Sequence, residues 1–217
     1  MDTRPIESRY NDLATETCCL SCGSAVLFAG AGERETCVDL GSGRGTDVLR
    51  LAGEVGPGGF VYGIDIADTM LEKARISAEK LGITNVRFIR SNLDNIPISD
   101  GTVDLVVSNC TINHAPDKQA VWNEIYRILK KGGRFVVSDI YSLVEVPENF
   151  RNDPRAVAEC WAGAIKKDVY LDTLKNAGFE NIRIIEESSP YPKGSIEVSS
   201  FTLAGTKPRD CNCGCGG

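Results

Sequence analysis

Three groups of residues in this chain are spaced for chemistry. The run Asp39-Leu40-Gly41-Ser42-Gly43-Arg44-Gly45 sets three glycines where an apolar stretch gives way to a helical pattern. Lacking Cβ atoms, Gly41, Gly43 and Gly45 let the backbone approach a bulky ligand and take torsions closed to other residues. Asp65 closes the next apolar stretch, Phe60 to Ile64, where an acidic side chain can bind both hydroxyls of a ribose. Together, loop and acid indicate a nucleoside cofactor. The spacing is G-x-G-x-G rather than the dinucleotide G-x-G-x-x-G, and Asp39 flanks it, so a pyrophosphate is poorly provided for. A cationic methionyl sulfonium with its ammonium group suits the acidic neighbour better, and NAD is the weaker reading.

The third group is sulfur. Cys18, Cys19 and Cys22 cluster near the start and Cys211, Cys213 and Cys215 at the end, while Cys37, Cys110 and Cys160 stand apart. No export signal precedes them, so thiols that bind metals or soft electrophiles are expected rather than a disulfide framework. Cys37, inside a strand pattern, reads as a small buried hydrophobe. A zinc site would need a second C-x-x-C pair, and the tail spacing differs. The tail suits capture of a soft ion. With His114 as the single histidine, chemistry built on several imidazoles has little to draw on. His114 lies two residues before Pro116 and reads as a loop side chain.

These residues need a scaffold that brings distant segments together. Short β-rich runs alternate with helical patterns from Thr36 to Ser138: strands at Thr36 to Leu40, Phe60 to Ile64, Val86 to Ile89, Val103 to Val107 and Arg134 to Ser138. Between them, Asp68 can cap a helix running to about Leu81, where Gly82 stops it, and Asp117 to Leu129 is helical. Such alternation predicts an α/β fold with a mostly parallel sheet and helices on both faces. After a loop from Leu143 to Pro154, a helical pattern runs to about Ala177. Strands near Ile182 to Glu186 and Val198 to Leu203 then close a seven-stranded sheet as an antiparallel hairpin. Ser108-Asn109-Cys110 follows the fourth strand at the carboxyl edge, where ligands bind in such folds.

The 217 residues fit one domain with a large core. Residues 1–30 form a cysteine-bearing segment, 31–206 the catalytic domain and 207–217 a flexible Cys/Gly tail. The 24 Lys+Arg against 30 Asp+Glu give a net charge of −6 without a basic stripe, which excludes nucleic acid as an expected partner. No apolar run approaches the ~18 residues needed to span a bilayer, so a cytoplasmic protein without membrane contact is expected.

Val38 to Gly45, Gly63-Ile64-Asp65 and Leu129-Lys130-Lys131-Gly132-Gly133-Arg134 stand where the Rossmann-like methyltransferases carry their motifs, and residues 36 to 140 resemble that family. The resemblance implies S-adenosylmethionine as cofactor, Asp65 on its ribose, Met70 against the adenine and Ser91-Asn92-Leu93 around the adenine edge. Asn92 stands where many members have an acidic residue. Asp39, Gly41, Gly43, Gly45 and Asn109 complete the candidate cofactor contacts.

A closer resemblance, over about Cys18 to Phe179, is to the arsenite methyltransferases. It is carried by Cys19-Leu20-Ser21-Cys22-Gly23, Ser108-Asn109-Cys110-Thr111-Ile112-Asn113 and Glu159-Cys160-Trp161-Ala162-Gly163-Ala164. It implies that Cys22, Cys110 and Cys160 bind trivalent arsenic, with Cys18 and Cys19 as alternative thiols of the first segment. Arsenic(III) is soft and thiophilic, and three thiolates leave its lone pair exposed as a nucleophile. Attack on a sulfonium methyl then needs positioning and a dry site more than a general base. Arsenite or another trivalent arsenical is the expected partner, with glutathione or thioredoxin as reductant. Longer members continue into a further C-terminal region, so a narrower substrate range is expected here, in a monomer or a homodimer. His114 stands where an apolar residue is usual, which makes the wall behind Cys110 more polar. Two other readings stay open: a methyltransferase for a small organic acceptor such as a quinone precursor, and a thiol-based arsenic- or zinc-binding protein with a vestigial nucleoside site.

Overall fold

The computed structural model describes residues 23–153, 156 and 159–209. Five parallel strands, β1 (Thr36–Leu40), β2 (Phe60–Asp65), β3 (Val86–Arg90), β4 (Val103–Asn109) and β5 (Leu129–Ser142), lie in the order β3-β2-β1-β4-β5. Antiparallel strands extend the sheet: β8 (Ile196–Thr206) pairs with β5 and β6 (Glu180–Glu187) with β8. A short β7 (Tyr191–Lys193), also paired with β8, adds an eighth strand to the seven expected.

The central strands are apolar on both faces, as a parallel sheet covered by helices requires. Cys37, Val38 and Leu40 of β1 and Leu105, Val106 and Val107 of β4 are all fully buried. Helix α1 (Ala25–Ala29) arises where the sequence shows little periodicity, and it buries Ala25, Val26 and Ala29. The Arg134 side chain holds its end, donating to the carbonyls of Ala29 and Gly30. Helix α2 (Thr46–Val55) buries Val48, Leu51, Ala52 and Val55, one stripe at helical spacing. Helix α3 (Asp68–Lys80) has Asp68 as its first residue, with Ala67 rather than Asp68 at the cap. Helix α4 (Lys118–Ile128) is capped by Asp117, which accepts from the Ala120 N–H at 3.0 Å. Its Trp122 packs edge-on against Phe135, Tyr170 and Phe179 at the heart of the core.

Two elements depart from the sequence expectation. Strand β5 starts at Leu129, because Gly132 and Gly133 pair with Lys207 at 2.9 and 2.8 Å and extend the ladder. The long helix expected before Ala177 is interrupted. A short α5 (Glu148–Arg151) and a 3-10 turn at Trp161–Gly163 precede α6 (Lys167–Asn176), with Ala164 and Lys166 extended between them. The turn is wedged against its neighbour: a Cβ on Gly163 would lie 1.9 Å from the Asn113 carbonyl oxygen. A continuous helix does not fit that contact.

The strand order reverses between β1 and β4, whose ends align as Leu40 with Ser108. Whatever follows these two strands therefore shares the crevice at the carboxyl edge, the usual ligand site of open α/β sheets. Among the described residues, no helix is long and apolar enough to cross a membrane.

Candidate active site

At that switch point lies a cavity of about 510 Å³. Of the candidate cofactor contacts, Asp39, Gly41, Gly43, Asp65, Met70, Asn92, Leu93 and Asn109 line it. Gly45 does not. Its φ of 80° opens α2, and a Cβ there would lie 2.9 Å from Ala74 and from the Phe88 ring, so this glycine serves helix-sheet packing. Gly43, at φ 50°, borders open space on its Cβ side. The Asp65 carboxylate accepts from the Gly43 N–H at 2.8 Å and the Ala67 N–H at 2.9 Å, bracing the glycine loop against the end of β2.

Asn109, the last residue of β4, ties three elements together. Its Oδ1 accepts from the Ala25 N–H at 3.1 Å, and its Nδ2 donates to Asp47 Oδ2 at 2.7 Å. Asp47 and Thr111 also line the cavity, and the sequence reading misses both. Asp47 sits two residues beyond Gly45, in the first turn of α2, and that adjacency to the glycine motif is the signal that could have found it.

The electrostatics favour a cation. Burial lifts the Asp39 carboxyl well above the ordinary carboxylate range, and Asp47 and Asp65 push it further. Burial likewise raises Asp65, partly offset by the N–H groups of Ala67 and Gly43, and raises Asp47, partly offset by Asn109. Such carboxyls gain most from an incoming positive charge. Ser42 Oγ is buried with no hydrogen-bond partner among the described residues, so the loop keeps polar capacity for a ligand. A cationic nucleoside fits this lining.

A pH dependence follows. Carboxyls raised in this way hold protons more readily than free ones, and a bound cation draws their pKa values down, so binding is linked to proton release and weakens with acidification. The dissociation constant of S-adenosylmethionine, measured calorimetrically, is expected to rise as the pH is lowered. Asp39→Asn should remove most of that slope. A pH-independent affinity with no proton release would contradict the assignment.

Of the two described candidate thiols, Cys110 lines this cavity and Cys160 does not. The Cys110 N–H donates to the Ser138 carbonyl at 2.8 Å, fixing the residue directly beyond β4. Cys110 has φ 54° and Cys160 has φ 70°. Left-handed backbone costs a non-glycine residue on the order of 1–2 kcal/mol, and such strain concentrates at functional sites. Contrary to the helical expectation, Cys160 caps the 3-10 turn. Both thiols belong to one buried apolar cluster with Ile140, Trp161 and Val198. Cys110 and His114 line the cavity, and Cys160 Sγ lies 3.1 Å from His114 Nε2. His114, read from the sequence as a loop side chain, is thus buried beside a candidate ligand; its departure from the family pattern was the available signal.

Beneath the thiols, Tyr170 donates to the buried Asp139 carboxylate at 3.1 Å, and Lys118 donates to the Ala115 carbonyl at 3.2 Å. Burial pushes the Asp139 carboxyl up and the Lys118 amine down. Burial also pushes the Cys37 thiol up to about 12, in keeping with a packing residue. Cys18, Cys19, Cys22 and the three tail cysteines lie outside the described residues, among which no group of three donors is placed to hold a metal ion. The first described residue, Gly23, lies against Ser138 and Asn109: a Cβ there would lie 2.3 Å from Ser138 Cβ and 2.6 Å from Asn109 Oδ1.

A parallel sheet with an antiparallel end, a glycine loop at the switch point and an acidic cavity define a Rossmann-like methyltransferase domain. Residues 32–178 match the methyltransferase domain family. An arsenite methyltransferase of Halobacterium salinarum is 40% identical over 174 residues, 79% of this chain and 44% of its own. The human arsenite methyltransferase is 41% identical over 137 residues, 59% of this chain and 36% of its own. The crystal structure of an arsenic(III) S-adenosylmethionine methyltransferase from Chlamydomonas reinhardtii superposes with a TM-score of 0.77 at 30% identity, covering 94% of this chain and 74% of that one. The chain belongs to the arsenite S-adenosylmethionine methyltransferase family. It spans less than half the length of the two curated relatives it matches.

Proposed function

We propose that this chain transfers a methyl group from S-adenosylmethionine to trivalent arsenic held by Cys22, Cys110 and Cys160. The observation that carries this reading is the placement of Cys110: a strained, buried thiol lining the cofactor cavity, in one cluster with a second strained thiol. Cys22 lies outside the described residues and immediately precedes Gly23 in the sequence. Gly23 itself touches Asn109, the neighbour of Cys110. Chain connectivity therefore supports a contribution of the N-terminal segment to the same site.

When bound, S-adenosylmethionine supplies an electrophilic methyl group. Asp39, Asp47 and Asp65 would favour its positive charge, Gly41 and Gly43 would give it backbone clearance, and Met70, Asn92 and Leu93 would flank its base. The thiolates orient the soft substrate atom and leave its lone pair toward the cavity, while the apolar cluster excludes water. Methylation raises arsenic from the trivalent to the pentavalent state, so a thiol reductant such as glutathione or thioredoxin restores it for a further round. That requirement suits a reducing compartment such as the cytoplasm.

The test is incubation with arsenite, reductant and labelled S-adenosylmethionine, followed by arsenic speciation beside a panel of organic acceptors. Labelled methylated arsenicals are expected. Label on a quinone precursor instead, or tight arsenic binding without transfer, would overturn the reading.

A further inference from the structure

We infer that His114 is a positioning residue for Cys160, fixing by its hydrogen bond the direction in which that thiol meets the substrate; the inference rests on the proposed arsenic site. Cys160 Sγ and His114 Nε2 are 3.1 Å apart, and both residues are buried. His114 stands in the wall of the cofactor cavity with Cys110, four positions earlier on the same loop. The loop is rigid. Its 3-10 turn, Ile112–His114, closes through the His114 N–H to the Thr111 carbonyl at 3.0 Å, and Asn113 Nδ2 donates to the Ile140 carbonyl of β5 at 2.6 Å.

The segment bearing Cys160 docks on this loop at two points. One is the Gly163 backbone, pressed against the Asn113 carbonyl, and the other is the sulfur-imidazole contact. The first fixes the backbone and leaves the side-chain torsion of Cys160 open. The second fixes that torsion. A cysteine has few rotamers, and only one directs its sulfur at a given partner. An imidazole serves in both states of the sulfur: it accepts from a thiol, and through N–H it donates to the thiolate that a soft atom requires. A leucine packs there without constraining the torsion.

Three proteins decide the matter: the full chain, His114→Leu and His114→Gln, whose amide can reach the sulfur. Steady-state kinetics separate the KM for arsenite from that for S-adenosylmethionine. The leucine variant is expected to raise the arsenite KM about tenfold, the effect of one lost buried hydrogen bond, and to shift the cofactor KM distinctly less. The glutamine variant should recover most of the loss. A leucine variant with the arsenite KM of the full chain, or a glutamine variant as impaired as leucine, would overturn the inference. So would a cofactor KM that shifts as far as that of arsenite.

A second readout needs no turnover. Phenylarsine oxide, a dithiol reagent, is expected to protect Cys110 and Cys160 from alkylation in the full chain and in His114→Gln, and to protect Cys160 poorly in His114→Leu, as read by peptide mass spectrometry. Equal protection in all three proteins overturns the positioning role even where arsenite is methylated. Absence of methylated arsenic from the full chain, with the protection pattern intact, overturns the proposed reaction and leaves the positioning role standing.

Discussion

Replacing Cys110 by serine is expected to lower kcat/KM for arsenite by at least ~10³-fold while the affinity for S-adenosylmethionine changes by no more than about twofold. The two side chains are nearly isosteric, so the exchange tests chemistry rather than packing. A hydroxyl is a hard, weakly acidic donor, whereas a thiolate is soft and matches trivalent arsenic. The loop should persist. Its anchors are the Cys110 N–H to the Ser138 carbonyl and Asn113 Nδ2 to the Ile140 carbonyl, and neither involves sulfur. Cys160→Ser is expected to match it, because two remaining thiolates hold the atom without fixing its lone pair. Calorimetric cofactor binding and arsenic speciation on the same preparations provide the check. Turnover of either variant on arsenite at the rate of the unaltered chain would remove that residue from the ligand set.

The parts of this site that could be read from the sequence are those fixed by local backbone demands. Gly41 and Gly43 announce themselves because both hold positive φ, and at Gly41 the close approach of Thr111 also excludes a side chain. Asp65 follows from its place at the end of a strand. The central parallel strands β1 and β4 are equally legible, since a strand buried on both faces must be apolar along its length. What depends on contacts between distant segments is harder to see. Nothing in Glu159-Cys160-Trp161 shows that Gly163 will be pressed on Asn113 and end a helical pattern before Cys160 can join it. Nothing near His114 shows that its ring will meet a sulfur 46 positions away. Asp139, Tyr170 and Lys118 likewise come from β5, α6 and α4, and meet only once the sheet has formed. Helix α1 was invisible for another reason: five residues are too short to display a period, and its burial is imposed by Asn109 and Arg134.

The cofactor loop and the thiol loop pack against one another at Gly41 and Thr111, and Gly41→Ala measures how tightly the two are coupled. A Cβ at Gly41 would fall 1.9 Å from Thr111 Oγ1 and 2.6 Å from Thr111 Cβ, and the residue sits at φ 74°. The left-handed backbone costs an alanine about 1–2 kcal/mol and overpacking adds roughly 1–3 kcal/mol. For a domain of this size that is a fall in Tm of roughly 5–15 °C. Because Thr111 adjoins Cys110, displacement of one loop by the other should weaken cofactor binding by ~100-fold and lower methyl transfer with it. Thr111→Gly in the same chain removes the colliding atoms and leaves the torsional cost. The double variant should therefore recover the packing share of both losses and no more, a coupling that a double-mutant cycle reads directly. Additive losses from the two substitutions would mean that the loops respond independently, and a Gly41→Ala protein that binds S-adenosylmethionine normally would take the glycine turn out of the cofactor site.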